Sequence, residues 1–594
     1  MGGITGWIDW NRDLTTERTT LLAMTGTMAC RGPDGEGEWL SRHAALGHRR
    51  LAVLDADGGG QPMTAPAGPE PAVVVTFAGQ IRNVARLRAE LTTRGHRLAT
   101  RSDTEVLAHA YLEWGPALVS RLAGTFAFAV WDTARQELLL VRDRLGVQPL
   151  YYVDYGTGLL FGSEPTAIIA NPLFTPELDE DGIAEIFAMP AAPTPGHGVY
   201  RGMRAVRPGT TVRFSRTGAT RVSRYWQLTS HRHTDDLAAT AARVRELLED
   251  IVATQLTGDV PAGLVLSGGT GSAALAVLAA NLAEGRGAGK INSFSADLPE
   301  TEDRVRSIAD HAGTVHLPVD VGGYPARERI AAVHTGGLPG WGEPDRALYL
   351  LCRGVSRHAT VALSADSADE VFGGYRFVSR PEALAAGTFP WLVWNRLGPA
   401  GLLKAEIRAQ VRLEEYLADR YTQARAEVPR LVGEPDRDRR IREVRYLVLT
   451  RWLPTLLNRT DRMGMAASVQ LRLPYCDHRL VEYLWNVPVE LLRAGGKDKG
   501  LLRAAVADLL PGELADRIAA PAPAVPDRGN YPALQSWMRE VLADRSAPLF
   551  DLVERDVVRS LVDFGHPVSG PRVPGIAYLL HVNEWLRTYR VRVR

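Results

Sequence analysis

The sequence predicts an α/β protein in two parts: an antiparallel β-sheet assembly with flanking helices, then a parallel-sheet domain that carries a helical extension. Three observations predict this. Up to about residue 215, strand-like apolar runs are broken by Gly, Asp and Pro turns. Further on, two short apolar runs, 263–266 and 360–363, each lead through a polar loop into a helical pattern. That alternation belongs to parallel sheets. From about 381 to 594 the chain reads as mostly helical.

The elements follow in order. Strand-like runs cover 72–77, 126–131, 137–142 and 159–161, and helical segments cover 84–94 and 104–114. A Gly/Arg-rich passage, 201–224, then changes the texture and suggests a division into parts 1–215 and 216–594. From Leu237 the residues Val244, Leu247, Leu248 and Ile251 recur at helix spacing. The run 263–266 is a strand, and an Ala/Leu-rich helix begins near Ala273. The Ala/Pro-rich stretch 519–526 reads as an exposed loop. Arg587, Arg590, Arg592 and Arg594 read as a solvated tail.

Composition narrows the function. The 594 residues carry 69 Lys+Arg against 68 Asp+Glu, a net charge of +1 that argues against a nucleic-acid partner. No stretch reaches the roughly 18 apolar residues of a membrane span. Three separated cysteines, Cys30, Cys352 and Cys476, fit neither a disulfide framework nor a Cys-rich zinc site, and point to a reducing, cytoplasmic setting. His231 and His233 lack carboxylate or Cys partners at ligand spacing. Only Lys290, Lys404, Lys497 and Lys499 are lysines, so each is worth asking about, since an ammonium is a compact point charge with an adjustable pKa.

Two loops carry the chemistry. In Leu266-Ser267-Gly268-Gly269-Thr270-Gly271-Ser272 a strand passes into a helix through adjacent glycines. Such a turn aims several N–H groups and the positive helix end at one point, which suits a phosphate. The Lys-Ser/Thr of a Walker loop is missing. The second loop, Ser364-Ala-Asp366-Ser-Ala-Asp369-Glu370-Val-Phe-Gly373-Gly374-Tyr375, holds three acids in five residues. Strand-end loops of a parallel sheet share one edge, and N–H groups facing carboxylates there make a phosphate–Mg²⁺ site.

At this point the residues resemble the asparagine synthetase superfamily, whose ATP-pyrophosphatase loop reads Ser-Gly-Gly-Leu-Asp-Ser. The resemblance extends to Asp259-Val-Pro-Ala-Gly263, to Thr460-Asp461-Arg462-Met463-Gly-Met465-Ala466-Ala-Ser468, to Arg472-Leu-Pro474-Tyr-Cys-Asp477-His478 and to Lys499-Gly-Leu-Leu-Arg503. The first part is similar to the family's glutamine-amidotransferase half through Arg31-Gly-Pro-Asp-Gly, His48-Arg-Arg-Leu51, Ser102-Asp103-Thr104-Glu105 and the run from Arg142 to Tyr152. The resemblance implies an Ntn-type amidotransferase-like sandwich followed by an adenine nucleotide alpha hydrolase-like domain. It also implies ATP and Mg²⁺ as cofactors.

The departures are as informative. Where the family begins Met-Cys-Gly, with the Cys as nucleophile, this chain has Gly2. The family's Asn-Gly-Glu-Ile-Tyr-Asn reads Ala78-Gly-Gln-Ile-Arg82-Asn83, so the oxyanion Asn is Ala78. Glutamine hydrolysis is therefore not expected, because acyl transfer needs the thiol. The loop Asp, usually a metal ligand, is Gly271. A synthetase without its own ammonia source resembles the lasso peptide cyclases and the β-lactam synthetases, and length favours the former. The first expectation is thus a lasso cyclase that adenylates an Asp or Glu side chain of a precursor peptide and joins it to the α-amine. A leader-binding protein and a leader peptidase are the implied partners. The alternatives are β-lactam-type closure, ammonia-dependent asparagine synthesis, and a peptide-binding pseudoenzyme scaffold. On this reading Lys499 is the transition-state cation, Asp366 takes the amine's proton and Asp369 is the metal ligand. Leu266 to Ser272, Ser364, Gly373 and Lys499 hold ATP, and Asp461 and Arg462 are candidates for the carboxylate site.

Overall fold

The computed structural model describes residues 2–55, 58–66, 71–190, 193–216, 220–287, 289–322, 336–340, 342–375, 378, 380–393, 399–510, 512–517, 531–563 and 572–594. The stretch 519–526, predicted as a loop, lies outside the described residues.

The first part is a sandwich of two six-stranded antiparallel sheets. One runs Met203–Ala205, Tyr151–Asp154, Gly158–Gly162, Gly2–Asp9, Ala44–Arg50, Gly35–Leu40. The other runs Thr220–Arg224, Thr210–Ser215, Glu137–Arg142, Gly124–Asp132, Val73–Ile81, Met63–Ala65. Ile4, Ile8, Leu46, Trp131, Leu138 and Leu140 fill the space between the sheets. On the outer face of the second sheet, Phe77, Phe126 and Phe128 pack against Leu87, Leu91 and Leu107 of the helices Val84–Thr93 and Asp103–Trp114. Burial on both faces is why these strands read as continuous apolar runs rather than as alternation. Thr220–Arg224 pairs with Thr210–Ser215, so the first part's sheet continues past residue 215.

The second part is built on a five-stranded sheet in the order Val315–Val319, Asn292–Ala296, Ala262–Val265, Val361–Leu363, Gln470–Arg472. Every pairing in it is parallel. Helices Leu237–Gln255 and Thr270–Gly285 cover one face, and Glu343–Val355 contributes Leu350, Leu351 and Val355 to a cluster on the other. The strand order reverses beside Ala262–Val265, so a crevice opens between the ends of Ala262–Val265 and Val361–Leu363. Both loops singled out from the sequence leave those two strands.

The helical extension is not a separate body. Trp537, Leu579 and Trp585 share one core with Trp7, Leu21, Met24 and Phe187 of the first part. The four arginines of the basic end are exposed, but its backbone is docked. Arg592–Val593 forms a short parallel strand against Glu177–Leu178, and the Arg594 guanidinium lies 3.0 Å from the Glu177 carboxylate. An extended backbone next to an open strand edge gains hydrogen bonds that a charge count does not reveal. No helix among the described residues is long and apolar enough to cross a membrane.

Candidate active site

The loop after Ala262–Val265 curls as its glycines predict. Leu266 extends the sheet by donating its N–H to Phe294 O at 2.7 Å, and its side chain is buried. Gly268 takes φ +75°, a conformation that favours glycine. Gly269 caps the helix Thr270–Gly285, and Ser267 stays exposed at the mouth of the crevice. The other two hydroxyls are engaged inside the protein. Ser272 Oγ accepts from Ser267 N (3.2 Å) and donates to Gly269 O (3.0 Å), while Thr270 Oγ1 accepts from Arg503 Nη2 (2.6 Å). Ser272 and Thr270 therefore hold the loop's shape; Ser267 Oγ, 3.2 Å from Ser272 Oγ, stays exposed, and the N–H groups of Gly268 and Gly269 are left to face a ligand.

Gly271, where the family carries an acid, is fixed by packing. A Cβ there would lie 2.9 Å from Ala368 Cβ and 3.4 Å from Ala365 Cβ, both on the second loop. Tyr475 donates its hydroxyl to Gly271 O at 2.8 Å. The two loops have closed over the place an Asp would need.

The second loop turns sharply at Ser364, whose N–H bonds Arg472 O and whose Oγ accepts from Asp366 N (3.3 Å). Ser367 takes φ +84°, and Gly373 ends the short helix Ala368–Phe372 at φ +65°. Asp369 lies on that helix and pairs with the Lys499 ammonium. A Cβ on Gly374 would fall 2.1 Å from Asp369 Oδ1, so the Gly-Gly pair clears the carboxylate's space. Lys499 has φ +55° and precedes the helix Gly500–Ala505, which is anchored by the buried Leu501 and Leu502. Non-glycine residues held in the left-handed region at both Ser367 and Lys499 are the kind of strain found at functional sites. Asp366 does not cap the short helix. Its carboxylate accepts from Thr460 Oγ1 at 3.2 Å, and Thr460 sits on the helix Leu453–Ala466.

Sequence reasoning missed three participants. Glu370 is buried among these acids, its carboxyl pushed up to about 7 by burial, with Tyr375 donating a hydrogen bond to it. Arg503 braces the glycine-rich loop through Thr270. Thr460 holds Asp366. Arg503 and Thr460 lie inside the matched motifs, and the motif was the only available signal. Arg462 donates to Leu338 O (2.6 Å) and Pro339 O (3.3 Å), while Asp461 pairs with Arg31 of the first part. His233 bonds Thr240, and no group of three potential metal ligands occurs among the described residues.

In the first part, Arg50 and Leu51, Gly79 and Gln80, and Ser102 to Thr104, drawn from three of the matched motifs, line a hollow of about 30 Å³. A water needs about 10–15 Å³ on this measure, so the hollow has room on the scale of a water or two. Gly2 has φ +144°, and a Cβ there would lie 1.8 Å from Arg49 O. Position 2 thus lacks a nucleophile and also the room for one. Arg82, in the place of the family's Tyr, is buried in the seam and bonds Asp477 at 3.0 Å.

An amidotransferase-like sandwich joined to a nucleotide crevice at the switch point of a parallel sheet defines a two-part, ATP-dependent carbon–nitrogen ligase. The comparisons agree: the asparagine synthase family matches residues 243–587, and the glutamine amidotransferase domain matches residues 1–226. This chain belongs to the asparagine synthase family. It is 35% identical over 620 residues to asparagine synthetase [glutamine-hydrolyzing] 3 of Bacillus subtilis, with 100% of both chains covered. It is 24% identical to asparagine synthetase 1 of the same organism, over 92% of this chain and 90% of that one. It is 29% identical to asparagine synthetase B of Escherichia coli, over 64% of this chain and 65% of that one. The length argument for a lasso cyclase loses its force, because an asparagine synthetase matches this chain from end to end.

Proposed function

We propose that this protein forms an amide from a small carboxylate and free ammonia, at the expense of ATP, with L-aspartate as the substrate to test first. The single observation that supports this is the contrast between its two sites. Gly2 and its surroundings offer no glutaminase, whereas the crevice keeps Asp369 paired with Lys499 on a loop packed against the Gly271 turn. The named relatives favour asparagine synthesis over peptide cyclisation.

In this reading the substrate carboxylate attacks the α-phosphorus of ATP and pyrophosphate leaves. Ammonia then attacks the acyl carbon, AMP leaves, and the surplus proton passes to Asp366 or water. The N–H groups of Gly268 and Gly269 cradle the leaving phosphates. Lys499 gives up Asp369 and moves to the charge that grows on phosphate and acyl oxygen. Asp369, released from that pair, would be the carboxylate that holds a Mg²⁺ ion. That ion supplies charge neutralisation on the departing pyrophosphate.

The test is AMP and pyrophosphate release by the purified chain with ATP, Mg²⁺ and L-aspartate, comparing ammonium chloride with glutamine. The expected result is asparagine with ammonium and none with glutamine. AMP release with a protease-trimmed precursor peptide, with loss of one water from that peptide, would favour the lasso reading instead.

A further inference from the structure

The first part holds a charged clamp that ends on the catalytic loop of the second. Arg31 is 2% exposed and lies in the short turn Ala29–Arg31. Its guanidinium makes a forked pair with Asp461, Nη1 to Oδ2 at 2.7 Å and Nη2 to Oδ1 at 2.9 Å. Nη1 also reaches Glu164 at 3.0 Å, and Nε donates to the carbonyl of Gly2 at 3.3 Å. Burial works against the charge, but the two carboxylates outweigh it and raise the Arg31 pKa. Beside it, Ser468 Oγ donates to Cys30 O at 2.8 Å. The turn therefore grips the segment 461–468 at both ends.

Asp461 is the neighbour of Thr460, and Thr460 Oγ1 donates to Asp366 on the catalytic loop at 3.2 Å. One covalent step thus separates the clamp from the bond that holds Asp366. A forked Arg–carboxylate pair fixes direction as well as distance, so it sets the rotation of the helix Leu453–Ala466 about its axis. That rotation decides where the Thr460 hydroxyl points.

We infer that Arg31 and Asp461 are positioning residues, through which the first part, having no nucleophile, orients Asp366 in the synthetase crevice. This inference deepens the proposed amide ligation and rests on it only for Asp366's chemical role. The physical coupling stands without it.

Hydrogen exchange on the full chain reads the coupling with no substrate present. Asp461→Asn keeps the shape and removes the ion pair. Thr460→Val leaves the seam between the parts untouched and removes the last link. Each variant is expected to speed exchange of the segment 361–372 roughly tenfold, the scale of one buried hydrogen bond. The double variant is expected to add nothing to the single ones, because both cut the same chain of contacts. The control helix Asp103–Trp114 should be unchanged. Arg31→Lys, which keeps the charge and loses the fork, replaces Asp461→Asn if that variant does not fold. Unchanged exchange at 361–372 in the seam variant, or effects that multiply in the double variant, would overturn the inference. With ammonium and L-aspartate, kcat should fall and the KM for ATP should stay within twofold. If the unaltered chain makes no AMP from these substrates, the proposed reaction fails while the exchange measurement still judges the clamp.

Discussion

Restoring the missing cysteine is the sharpest test of the account of the first part. In Gly2→Cys the new Cβ starts 1.8 Å from Arg49 O, at φ +144°. Real side chains keep at least 3.0 Å from such atoms, so the strand end must retreat by more than 1 Å or the residue must change its backbone angles. Holding a side chain in a sparsely populated backbone region costs of order 1–3 kcal/mol. Pulling Gly2 away from its partner Arg50 gives up about one further hydrogen bond, near 1 kcal/mol. The variant should therefore be about 2–4 kcal/mol less stable, read as a lowered denaturation midpoint in urea. It should also release no glutamate from glutamine, because Ala78 offers no amide to stabilise the oxyanion. Glutamate production by this single variant, or unchanged stability, would refute the reasoning.

The crevice yields three more predictions. Lys499→Ala should lower pyrophosphate release by about 10²–10³, the scale of one lost transition-state donor, and Lys499→Arg should not rescue it, because a planar fork does not replace a point charge. Gly271→Asp should fail to strengthen Mg²⁺ dependence and should destabilise the chain by about 1–3 kcal/mol, since its Cβ meets Ala368 Cβ at 2.9 Å; calorimetry with ATP and Mg²⁺ checks both. Glu370 sets a pH dependence. Its folded carboxyl, pushed up from 4.5 to about 7, keeps a proton that the unfolded chain releases, so stability is greatest below about 4.5 and falls as pH rises towards 7. The loss is of order 3 kcal/mol, and Glu370→Gln should flatten the unfolding midpoint over that range.

Local signals carried the fold far. The helix Leu237–Gln255, the strand Glu137–Arg142 and the two crevice loops were legible because periodicity and glycine placement act within a few residues. The glycine-rich loop's position was readable, but the fate of its hydroxyls was not. Thr270 answers to Arg503, 233 residues away, and Asp366 answers to Thr460, 94 residues away. No spacing rule reaches that far. The absence of an acid at Gly271 was visible as a letter, whereas its cause, the contact with Ala365 and Ala368, needed the folded loops. The four arginines of the basic end are exposed, as their charge suggested, whereas the backbone pairing of 592–593 with the strand edge at Glu177–Leu178 left no signal in the charges.

The core shared by Trp7, Leu21 and Met24 with Trp537, Leu579 and Trp585 bears on how the chain is made. The first part leaves the ribosome with that apolar face bare, and its cover lies in the last helices. At about 5–20 residues per second the wait is roughly 20–70 s. During that interval the nascent chain exposes aromatic surface that Phe389, Tyr416 and Leu447 begin to cover and the last helices complete. A trigger-type holdase is thus expected to bind the first part during translation, and ribosome profiling of a holdase-bound pool would show occupancy ending once the final helices emerge.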